Sequence, residues 1–182
     1  NVNFKKLKKV FDVLSNKNEK RLIAKLDLNK KFLGRKSLSS NYLKENSFTF
    51  SKKNNLNDID GVLFLHDFLD APHDRGGRLI FNDFYEWANH TLHFILKNKL
   101  NIAVKLHPNS IEDSKKIENY FQNKFKKLKW LSKKVNNIDI YKNVKFVVSA
   151  NGSVLYEAAY FKKICISAGL NPNSSFKIFK DP

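Results

Sequence analysis

The 182-residue chain carries 34 Lys and Arg against 17 Asp and Glu, a formal net charge of +17, and 42% of its residues are hydrophobic. No apolar run reaches the length of a membrane span, no signal peptide is visible, and the single cysteine, Cys165, rules out an internal disulfide framework. What remains is a globular chain with room for one good core, and a charge that calls for an anionic partner: a nucleotide, a membrane surface or a nucleic acid.

That charge is uneven. Residues 1–60 carry +9, residues 61–110 carry none, and residues 111–182 carry +8. The neutral block holds all five histidines and the densest acidic cluster, the pattern of a site rather than of a solvated face. The chain contains no Met and stops at Lys180-Asp181-Pro182, soon after a strand-like run, so it reads as a fragment of a longer protein.

In chain order, Phe4, Leu7, Phe11 and Leu14 form an apolar stripe among Lys5, Lys6, Lys8 and Lys9. This is an amphipathic basic helix, read as a surface helix packing on a domain, with a membrane-surface helix as the sharper alternative. Residues 17–32 allow a second helix. Residues 34–60 are rich in Ser, Asn and Lys and read as a linker or irregular lead-in. From Gly61 the pattern changes to strand alternating with helix. Strands are expected at Val62–Leu65, Ile102–Leu106, Trp130–Leu131, Val144–Val148 and Ile164–Ser167. Between them, Asn82 and Ser110 are the expected helix caps. The expected fold is α/β: an open parallel Rossmann-like sheet flanked by helices over residues 61–182, preceded by a basic helical segment over residues 1–60. Cys165 falls in a core strand. The loops beginning at His66, His107, Ser149 and Ala168 then share the carboxyl edge of the sheet, where such sheets bind ligands.

Four constellations on that edge carry chemistry. His66-Asp67-x-x-Asp70-x-x-His73-Asp74 sets two imidazoles among three carboxylates. Acid–base work is preferred there over metal binding, because no Cys joins them and zinc-like helix spacing is absent. The competing reading is a loop that caps and turns. Lys105-Leu106-His107-Pro108-Asn109-Ser110 places an imidazole just past a buried strand, able to donate to a phosphate. Ser149-Ala150-Asn151-Gly152-Ser153 joins a strand to a helix through small residues, so the first helical N–H groups form an anion site. Ser153 can cap that helix or meet a phosphate, and Glu157 lies one turn in, able to accept from two sugar hydroxyls. The plainer reading is an ordinary capped helix with a solvated Glu157. Ala168-Gly169-Leu170-Asn171 opens an amide- and hydroxyl-rich loop that could read a sugar, or simply turn.

Together these residues carry a resemblance. Lys105-x-His107-Pro108, Ser149-x-Asn151-Gly152-Ser153 with Glu157-Ala158-Ala159, and Ile164 to Gly169 resemble the nucleotide-binding half of GT-B glycosyltransferases. The similarity is closer to those of bacterial capsule and surface-polysaccharide biosynthesis, over residues 61–176; the loop from His66 to His73 and Phe81 to Trp87 also look like that group. The resemblance implies that His107 and Ser153 contact donor phosphates, that Glu157 holds the ribose, and that a second Rossmann-like domain for the acceptor lies outside this chain. The expected function is transfer from a sugar nucleotide to a glycan or lipid-linked glycan, without a metal or other cofactor. A base from His66, Asp67, Asp70 or His73 would activate the acceptor, and Lys105, His107, Asn109, Asn151, Gly152, Ser153, Glu157, Gly169 and Asn171 would bind substrate. The alternatives are a CDP-alditol phosphotransferase, a sugar-nucleotide epimerase and, from another class, a non-catalytic basic module that binds nucleic acid. A cytoplasmic location, peripheral at the anionic inner membrane face, is expected, with Lys5, Lys6, Lys8, Lys9, Lys124, Lys126, Lys127 and Lys129 supplying the attraction.

Overall fold

The computed structural model describes residues 4–35, 47–50, 55–70, 79–169 and 179–180. Two helices come first, α1 (Phe4–Val13) and α2 (Lys17–Phe32). There follow β1 (Gly61–Phe64), α3 (Phe84–Lys97), β2 (Ile102–Lys105), α4 (Glu112–Lys124) and β3 (Trp130–Leu131). The chain continues through α5 (Asn137–Asn143), β4 (Phe146–Ser149), α6 (Ser153–Tyr160), β5 (Ile164–Ser167) and β6 (Phe179–Lys180). All strand pairs are parallel, in the order β3-β2-β1-β4-β5-β6. This is an open α/β Rossmann-like sheet. Its order reverses between β1 and β4, the switch point beside which ligands of such sheets lie.

The strands form because their runs are apolar on both faces. Val62 and Phe64 pack into one layer with Tyr141, Leu155 and Cys165, while Leu63 and Leu65 face the other with Phe84, Trp87, Phe121 and Phe125. The first layer contains α5 and α6; the second contains α3 and α4. Gly61 is required at its register position opposite Phe146, because a Cβ there would collide with the Phe146 ring.

The lead-in is built into the first layer. Phe48, Leu56 and Ile59 are buried in its core, and Phe32 at the end of α2 packs edge-on to Phe48 and tilted against Phe161. The segment read as a linker or irregular lead-in thus contributes Phe48, Leu56 and Ile59 to the core.

Helix starts differ from their expected residues in an instructive way. α3 is capped by Asp83 rather than Asn82: its carboxylate accepts from the Glu86 N–H at 2.7 Å, and Glu86 accepts in return from the Asn82 N–H at 2.8 Å. α4 has Ile111 at its cap position, and Ser110 instead donates to the His107 carbonyl at 2.9 Å and to Glu118. α6 is capped by Gly152, not Ser153.

Candidate functional site

β1 ends at Phe64 and β4 at Ser149, side by side at the switch point, with Phe64 and Ser149 in register. His66 follows β1 and meets the turn after β4. Its Nε2 lies 2.8 Å from the Asn151 carbonyl oxygen. The Asn151 N–H also lies 3.3 Å from Nε2, but the carbonyl contact is the shorter and a carbonyl only accepts, so we assign the hydrogen to Nε2 and the lone pair of the neutral ring to Nδ1. Ser149 Oγ completes the contact, 3.0 Å from the same carbonyl and 3.3 Å from Nε2. The imidazole stacks flat on Phe84, with ring centroids 4.4 Å apart and planes 5° from parallel. Burial pushes the His66 pKa down to about 4, against the opposing bond to Asn151, so the ring is neutral near pH 7.

Gly152 is the reason this turn can form. Its φ is +103°, a conformation L side chains rarely adopt, and a Cβ would lie 3.2 Å from His66 Cε1. The glycine thus lets the chain reverse under the imidazole and enter α6. The first N–H groups of α6 have no partner within the helix and point out of its N-terminus, where the Ser153 hydroxyl is exposed.

His107 follows β2, close enough to His66 that a charge on either ring would disfavour a charge on the other. Its Nδ1 is buried and has no hydrogen-bond partner among the described residues. Burial lowers the His107 pKa, opposed by the charges of Asp67, Glu118 and Asp70. A buried, unpaired ring nitrogen costs free energy, and such exceptions in folded proteins call for an explanation. Asn109 is half-buried in the same turn, and Asp70 is exposed on the loop after β1. Gly169 is buried beyond β5, paired through its backbone with Leu79.

Three expected site residues are engaged elsewhere. Asp67 is not poised as a base. It accepts from the Ile111 N–H at 2.9 Å, the Leu69 N–H at 3.1 Å and the Ser114 hydroxyl, and so caps α4 from a distant loop. Burial works to raise its pKa, but these bonds outweigh it and hold the carboxyl below its usual value. Lys105 turns away from the carboxyl edge. As the last residue of β2 it shares the face of Ala103, and its Nζ donates to the Val135 carbonyl at 2.7 Å and to Asn137 at 2.5 Å. Burial pushes its pKa down to about 7, with Glu157 opposing.

Glu157 faces the same interior. It pairs with Lys31 of α2 at 2.6 Å and accepts from the Tyr141 hydroxyl at 2.7 Å, so both carboxylate oxygens are taken. The Glu157 and Lys31 side chains are only 3% and 4% exposed. A solvated or ribose-facing carboxylate does not match this arrangement; the helix face that Glu157 shares with Val154 and Phe161 packs inward. His73 and Asn171 lie outside the described residues.

Sequence reading missed Phe84 as the platform under His66, and Lys31 and Tyr141 as partners of Glu157. Only Phe84 left a signal, as the first aromatic after a helix cap. Lys31 sits in a lysine-rich helix in which no residue stands out. Among the described residues, no group of three or more His, Cys, Asp or Glu is arranged to hold a metal ion.

No family model matches the sequence, and no curated protein is similar to it. Solved structures with a similar course include KpsC of Thermosulfurimonas dismutans, a beta Kdo 2,4 transferase. It is 12% identical, with a TM-score of 0.39, over 68% of this chain and 38% of that one. The UDP-GlcNAc 2-epimerase of Methanocaldococcus jannaschii, solved with UDP-GlcNAc and UDP, is 16% identical, with a TM-score of 0.47, over 72% of this chain and 38% of that one. The chain thus spans well under half the length of either.

Proposed function

We propose that this chain is the donor-binding half of a sugar-nucleotide-dependent transferase of surface-polysaccharide biosynthesis. The observation that carries the reading is the turn at the switch point: Gly152 at φ +103°, pinned under a neutral His66, sets the start of α6 at the carboxyl ends of β1 and β4. A diphosphate there would accept from the first N–H groups of α6, favoured by the helix dipole and joined by the Ser153 hydroxyl. His107 approaches from the end of β2, and its ring would donate to the phosphate that departs. These donors are fixed before reaction, so they stabilise charge as it develops on the leaving oxygen.

His66 takes the positioning role in this scheme. Its Nε2 hydrogen is committed to the Asn151 carbonyl and its ring to Phe84, so the acceptor hydroxyl is better served by another group of the same loop. Among the described residues that group is Asp70. Ribose recognition by Glu157 is not part of the reading, since Lys31 and Tyr141 occupy its carboxylate.

Thermal unfolding of the full chain with a panel of uridine, cytidine and guanosine diphosphate sugars tests the reading. At least one nucleotide should raise the midpoint, and Gly152→Val should remove that rise while the variant still unfolds cooperatively. A chain indifferent to every nucleotide would end the proposal.

A further inference from the structure

α2 rests on the domain through its C-terminal end, with Lys31 against Glu157 and Phe32 against Phe48 and Phe161. Ahead of that end, residues 18–26 are all exposed. α1 lies along the same side of the helix, held by Arg21 over the Phe11 ring at 5.5 Å and by Lys17, whose Nζ donates to the Asp12 carbonyl at 2.7 Å. The opposite side is apolar. Leu22, Ile23 and Leu26, with Leu33 just past the helix, are 56%, 47%, 52% and 68% exposed. At about 100° per residue, these four and the exposed Glu19 and Lys30 fall within about 100° of arc. Lys20, Arg21, Lys25 and Lys31 all lie outside that arc. Glu19 also accepts from the Asn16 amide at 3.3 Å, within its own turn. The face is thus apolar, with one acid, one base and no net charge.

What covers such a face follows from where its two charges stand. A nucleic acid or an anionic bilayer needs an excess of positive charge, and this face has none. A second copy of the same face fits it. Residues 19 and 30 are equally far from the midpoint between Ala24 and Lys25, and so are residues 23 and 26. Two α2 helices laid antiparallel about a two-fold axis at that midpoint set Glu19 of each copy against Lys30 of the other, and Ile23 against Leu26. A two-fold interface makes each contact twice, so both charges are matched while the aliphatic side chains close on one another. A parallel pair would instead set Glu19 against Glu19 and Lys30 against Lys30. We propose that the chain forms a two-fold dimer through the outward face of α2, with the two helices antiparallel. The charge of +17 on each chain opposes association, but the other basic residues of α2 lie off the contact. A helix of 16 residues is only about 24 Å long, so the interface is small and the dimer reversible. The pairing is independent of the donor site, and its test involves no nucleotide.

The test is analytical ultracentrifugation of the full chain from about 10 μM to about 1 mM, the range in which a small specific interface associates. The average mass should rise from that of one chain towards that of two, and no further. Leu26→Glu should abolish the rise, with unchanged circular dichroism and an unchanged thermal midpoint at low concentration, because the position is exposed. Glu19→Lys and Lys30→Glu should each weaken association by about tenfold, since each turns two attractive pairs into two repulsive ones. The combined Glu19→Lys/Lys30→Glu variant should restore it. A chain that stays monomeric throughout, masses that climb beyond two chains, or a combined variant no better than its parents would overturn the proposal. So would binding of random-sequence RNA or phosphatidylglycerol vesicles that Leu26→Glu removes while the mass stays that of one chain, because the face would then belong to that partner.

Discussion

His66 decides how the site is organised. Its hydrogen is committed to the Asn151 carbonyl and its ring to Phe84, so its chemistry is neutrality and shape rather than proton transfer. The pH consequence follows from its depressed pKa, about 4 in the folded chain against an ordinary value of 6.5. Between those values the unfolded chain binds the proton more readily than the folded one. The stabilisation from a neutral His66 is therefore complete above pH 6.5, declines as pH falls, and is gone below about pH 4. It amounts to on the order of 3 kcal/mol. Urea unfolding of the native chain and of His66→Asn from pH 7 to pH 4 should show a shallower pH slope in the variant. Identical slopes would mean that His66 is solvated and that the turn is held otherwise. His107, whose pKa burial also lowers, contributes in the same direction and remains in both proteins.

At the scale of elements, the loop after β1 and the start of α4 form one unit. Asp67 supplies the cap that Ile111 cannot, which fixes the turn carrying His107 against the loop carrying His66. Asp67→Ala should destabilise the chain by about 1–2 kcal/mol, the range of a lost cap. It should also speed hydrogen exchange at the amides of the first turn of α4, while Asp67→Asn, which keeps an acceptor, should lose less. Unaltered exchange at that turn would contradict the assignment. The strands were legible in the sequence because buried parallel strands need no polar alternation, and runs such as Ile102–Lys105 and Phe146–Ser149 have none. The carboxyl-edge loops were legible for the same reason, since strand ends fix where loops begin. Side-chain direction at those ends was not. Lys105 and His107 are two residues apart, yet the first is bonded to Asn137 inside the layer of α5 and α6 and the second lies beside His66. Asp67 looked like a base because the helix start it caps, at Ile111, lies 44 residues later.

Across the whole molecule, the lead-in and the sheet are joined by one buried chain of polar groups: Lys31, Glu157, Tyr141, Asn137 and Lys105. No local pattern announces it, since Lys31 and Glu157 come from opposite ends of the chain. Lys31→Ala should cost about 3–5 kcal/mol in urea unfolding, because it strands a buried carboxylate, whereas Lys31→Met/Glu157→Leu should recover most of that loss. A loss below about 1 kcal/mol for Lys31→Ala, as in an exposed pair, would mean that α2 is not docked. That joint holds α2 against the helix whose other end opens the proposed donor site, and the donor site is the central claim. It is tested most directly by proton–nitrogen correlation spectra of the full chain titrated with uridine and cytidine diphosphates. The account predicts saturable shifts of the Gly152, Ser153 and Val154 amides, together with the His107 ring, and little change along α1 and α2. Shifts confined to the lysine-rich helices, or none at the start of α6, would contradict it.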